Sequence, residues 1–119
     1  MGYYTSFKFK VIEGDESLIK EFRKENENAK YAVDEYGDTN DSCKWYDCEK
    51  DIVSFSIKHP KIIFMLEGEG EESGDIWKLY VQDGHVQNCR AKIVFPEFDK
   101  AKLQADIRES KINKVIDGK

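Results

Sequence analysis

Glu67, Glu69, Glu71, Glu72 and Asp75 place five carboxylates within nine residues, with no Lys or Arg among them and with Gly68, Gly70 and Gly74 interspersed. Carboxylates at this density suit only a few tasks. Calcium would need oxygen ligands at the spacing of an EF-hand loop between two helices, and neither is present. Hydrolysis by a carboxylate pair would need one acid raised in pKa by an apolar pocket, which a solvated glycine-rich turn does not offer. A phosphate cradle would need the Lys and Ser or Thr of a P-loop, and these acids would repel the ligand. Recognition is the task that remains: a fixed negative surface meets a partner protein with a basic surface, and complementary charge speeds association and selects the partner. The plain alternative is a solvated turn whose charges discourage edge aggregation.

A second constellation is basic and aromatic. Strand alternation puts Tyr4, Lys8, Lys10, Lys78, Tyr80, Arg90 and Lys92 on the side opposite the core. Basic side chains interleaved with aromatics on an open sheet are how single-stranded nucleic acids are stacked and neutralised. A net charge of −5 and the lack of an RNP-like aromatic string count against that use, so it stands as the alternative. Cys43, Cys48 and Cys89, with His59 and His85, lack the paired spacing of zinc ligands; the cysteines are expected as free thiols, with no metal site and no cofactor. No Ser-His-Asp or Cys-His grouping is suggested by proximity, so no catalytic residue is assigned. A small enzyme whose site is assembled from distant residues is the third reading.

The elements that would hold these residues follow from periodicity. Tyr3 to Val11 alternates, with Tyr3, Phe7, Phe9 and Val11 inward, and predicts a half-buried strand. Gly14 ends it, Asp15 is placed to cap a helix over residues 16–25, and residues 26–36 continue with Ala29, Ala32, Val33 and Tyr36 at helical spacing, although Tyr31 and Val33 also suit a strand. Cys43 to Tyr46 suggests an edge strand. Asp47 opens a helix that Pro60 closes. Lys61 to Leu66 suits a central strand, and Ile76 to Gln82 places Trp77, Leu79 and Val81 inward. Asp83-Gly84 is a type I′ turn signal, so residues 85–95 form the return strand, with Cys89, Ala91, Ile93 and Phe95 inward. Residues 99–117 carry a sparse apolar stripe and predict a terminal helix. The expected order is β-α-β-α-β-β-β-α: an α+β, antiparallel-rich sheet with helices packed on one face, ferredoxin-like in topology.

Length fits this, since 119 residues with 39% hydrophobic and 13% aromatic content make one domain with one core. Residues 1–98 are expected to form the domain, with residues 99–119 a helix appended to it. No apolar run is long enough to span a membrane and no signal-peptide segment follows Met1, so a cytoplasmic location is expected.

Trp45-Tyr46-Asp47, Pro60, Phe64, Gly68-Glu69-Gly70-Glu71-Glu72, Gly74-Asp75, Trp77 and Gly84 together resemble a family of small uncharacterised proteins of phages, prophages and other mobile elements, some described as ferredoxin-like domains. The resemblance runs from Gly2 to Asp99 and Leu103. It implies provenance rather than a site: a non-enzymatic accessory protein, an inhibitor or adaptor directed at a host enzyme or defence complex, in the host cytoplasm.

Overall fold

The structure is a computed structural model that describes residues 2–117, with side chains through residue 111. Its elements are β1 (Thr5–Glu13), α1 (Leu18–Glu25), α2 (Glu27–Ala32), α3 (Cys48–Lys58), β2 (Ile63–Gly70), β3 (Ile76–Gln82), β4 (His85–Arg90) and α4 (Lys100–Asp117). The four strands form one antiparallel sheet in the order β1-β2-β3-β4. The alternation of β1 buries Phe7 and Phe9, which meet Phe64 and Leu66 of β2 and Leu79 and Val81 of β3 on one face. Leu18, Ile19 and Phe22 of α1, Ala29 and Ala32 of α2, and Ile52 and Phe55 of α3 close over that face. Phe9, Phe22, Phe55 and Phe64 stack at centroid separations of 4.6–5.6 Å, so the core centre is aromatic. The architecture is α+β, with an antiparallel sheet covered on one side by α1, α2 and α3.

Several expectations need correction. Each strand lies beside its sequence neighbour, so the sheet is a meander, without the interleaved strands of a ferredoxin-like split βαβ unit. Cys43 to Tyr46 is not a strand: Cys43 makes an isolated bridge to Thr5, and Trp45 turns into the core, where its indole donates to Asp51 at 2.7 Å. The second helical stretch ends at Ala32, because Val33 turns extended to bridge Thr39 and close a loop against β1. Asp15 is not the terminal cap of α1; its carboxylate accepts from the amide of Ser17, the residue immediately before the helix.

The largest correction concerns β4. The turn at Asp83-Gly84 has φ of 46° and 78°, as a type I′ hairpin requires, and pairs Gln82 with His85. Counting from that pair sets Val86 beside Val81, Asn88 beside Leu79 and Arg90 beside Trp77 on the core side, while Cys89 lies beside Lys78 on the outer face. The turn fixes the register and overrides the apolar alternation of residues 89–95. β4 also stops early, since β3 begins at Ile76 and the last bond runs from the Ala91 amide to the Ile76 carbonyl. Ile93 and Phe95 are therefore 71% and 87% exposed and take no part in the core.

Candidate functional site

The acidic hairpin is built at the junction of β2 and β3. Gly70 donates its amide to the Asp75 carbonyl, and Asp75 donates its own to Glu72, which closes a tight tip at residues 71–74. Both glycines of β2 make room. Trp77 sits opposite Gly68 and lies across it toward Phe7, so a Cβ at Gly68 would run into the indole. A Cβ at Gly70 would strike the Asp75 carboxylate and the Tyr3 ring.

Tyr3 is what locks the tip. Its hydroxyl donates to Asp75 Oδ2 at 2.6 Å and accepts from the Glu72 amide at 3.0 Å. Arg90 Nη2 reaches the other Asp75 oxygen at 2.7 Å. These bonds hold the Asp75 carboxyl below its ordinary value, the Tyr3 bond first and Arg90 second, and the same bond raises the Tyr3 phenol. The Tyr4 amide donates to Glu71 at 2.8 Å, and the Tyr3 amide donates to the Tyr46 hydroxyl at 2.9 Å. The hairpin is thus stitched to the chain's first residues from about 70 positions away. Strand alternation alone puts Tyr3 inward and Arg90 on the outer face, so it gives no sign that the two meet at Asp75.

The five acids separate into two groups. Asp75 is consumed by Tyr3 and Arg90, and Glu67 lies in β2 between Lys8 and Lys78, 3.7 Å from the Lys78 ammonium. Glu69, Glu71 and Glu72 are exposed at the tip end, and among the described residues none forms an ion pair.

The basic and aromatic set is also divided. Lys8, Lys10, Lys78 and Tyr80 share the outer sheet face, but Glu67 stands in the row of Lys8 and Lys78, Glu69 follows it on the same face between Ser6 and Ile76, and Lys10 is held by Asp38 at 2.6 Å. Tyr4 precedes β1 under the Lys44 ammonium, Arg90 lies on the opposite face, and Lys92 is beyond the sheet. Among the described residues no group of three His, Cys, Asp or Glu side chains is placed to hold a metal ion. Cys43, Cys48 and Cys89 are free thiols, and burial pushes Cys48 up to about 11. No described helix is long and apolar enough to cross a membrane.

Comparison with protein-family models, with curated proteins and with solved structures finds no match to this chain.

Proposed function

We propose that the chain is a non-enzymatic protein-binding module that presents Glu69, Glu71 and Glu72 to a partner with a basic surface. The observation that carries the reading is a hydrogen-bonded hairpin tip whose three exposed acids have no cation partner among the described residues, while Asp75 is spent on holding the tip in place. A fixed loop loses little conformational entropy on binding, and unneutralised charge steers the encounter. The sequence resemblance supports a phage or mobile-element origin, and with it a role as an inhibitor or adaptor acting on a host enzyme or defence complex in the cytoplasm.

The test is affinity capture from host extract followed by association kinetics with the protein retained. Replacing Glu69, Glu71 and Glu72 by Gln should slow association about tenfold at low salt and flatten its salt dependence, with the fold intact. A triple variant that binds normally, alongside loss of oligonucleotide binding when Lys8, Lys10 and Lys78 are neutralised, would replace this reading with a single-stranded nucleic-acid function.

A further inference from the structure

Every described side chain from Ala91 to Lys111 is exposed, including Ile93, Val94, Phe95, Phe98, Leu103 and Ile107. The strap of residues 91–99, which has no regular secondary structure, leads into α4, and among the described residues no strand or other helix packs closely against that helix. The molecule measures 70 × 37 × 26 Å with a radius of gyration of 22.0 Å, where a compact chain of this length has about 13.5 Å. It exposes 8846 Å², against about 6,700 Å² for a compact monomer of its mass. Two copies that each recovered half of that excess would bury about 2,200 Å² in total, the range of permanent homodimers.

The strap leaves the sheet at the β4 edge, which is open among the described residues. The edge of β1 is closed by Gly37, Thr39 and Cys43, which bond the strand's backbone. Among the described residues, no strand or backbone group pairs with the outer side of β4. Because the Ala91 amide bonds inward to Ile76, the alternation of an antiparallel ladder turns the N–H and C=O groups of Val86, Asn88 and Arg90 outward, and no described backbone group pairs with them. At the far end of β4, about 20 Å from the strap by strand rise, the Asp83-Gly84 turn lies against Ile57, which is 57% exposed, with Val86 next to it at 37%. A chain's own strap leaves β4 at the opposite end from that patch. The strap of a second copy, running antiparallel along the edge, passes directly over it.

Charge points the same way. Residues 1–98 carry 20 Asp and Glu against 13 Lys and Arg, whereas residues 99–119 carry 4 against 6. A basic tail with an apolar strap suits a body that is acidic and has an open edge, and a second copy supplies that body.

We propose that the protein forms a two-fold dimer across the β4 edges, with Ile93 to Phe98 of each copy covering Ile57 and Val86 of the other. The interface is isologous and closes without further growth. Sedimentation of the full chain should give a species of twice 13.9 kDa at tens of micromolar. Phe95→Asp with Phe98→Asp alters side chains already in water, so the variant should keep its circular dichroism spectrum and sediment as a monomer; Ile57→Asp should do the same from the receiving side. Amide exchange gives an independent readout: Val86, Asn88 and Arg90 should be protected at high concentration and exchange at least tenfold faster on dilution. A monomer at every concentration, a dimer that survives both sets of changes, or edge amides indifferent to concentration would each overturn the proposal. The Glu69, Glu71 and Glu72 to Gln variant should remain dimeric, so failure of the hairpin reading and failure of this one are separable.

Discussion

At the residue scale, the cluster of Tyr3, Asp75 and Arg90 decides which acids are available and which are structural. The Asp75 carboxyl is held below its ordinary value in the folded chain, so protonation favours the unfolded chain. Its contribution is complete above about pH 4 and drains away as pH falls through the lowered native value. The Tyr3 phenol is raised, so its contribution is complete below about pH 10 and is lost as pH climbs through the higher native value. Asp75→Asn should flatten the acid limb of a urea-stability profile, and Tyr3→Phe should weaken both limbs; unaltered limbs would mean that the cluster does not form. A second residue-scale outcome concerns Cys48, whose half-buried thiol is pushed up to about 11. About one thiol in a thousand is ionised at pH 8, so Cys48 should stay unmodified by iodoacetamide in the folded protein and react once urea unfolds it. Mass mapping of the labelled peptides checks this.

At the scale of elements, the row Phe7, Gly68, Trp77 and Arg90 shows why the hairpin composition is needed twice over, for charge and for packing. Trp77→Ala should cost about 3 kcal/mol by emptying the end of the core. Gly68→Ala should cost about 1–3 kcal/mol by pushing the indole away. In the Trp77→Ala background the Gly68→Ala cost should nearly vanish, because the clash has lost its partner. Urea unfolding of the four proteins in this cycle gives the coupling, and additive costs would show that Trp77 does not lie over Gly68. Much of this layer was legible in the sequence. Period-two alternation located β1 and β3, Pro60 closed α3 to within two residues, and Asp83-Gly84 announced its turn. The phase of β4 was not, because residues 89–95 show an apolar alternation of their own and only the turn register says that it faces the wrong way. Nor was the split of the acids, since nothing local to Asp75 reveals that a tyrosine 72 positions earlier will bond it.

At the scale of the whole molecule, the acidic body and the projecting tail make different claims on stability. The core from β1 to β3 is complete without residues 98–119, whose described side chains bury nothing against it. A chain ending at Glu97 should therefore unfold at the same temperature as the full chain when both are dilute, where each is a monomer. Raising the concentration should separate them. Association stabilises the native state by mass action, so the full chain should gain several degrees between 1 and 100 μM while the shortened chain, which keeps the β4 edge and Ile93 to Phe95 but lacks Phe98, gains less. Calorimetry or dye-monitored melting across that range makes the comparison. If the shortened chain melts markedly lower even at 1 μM, the tail folds back on its own body and stabilises it within one copy. If both chains rise together, association runs through the β4 edge and residues 91–97 alone, and α4 lies outside the contact.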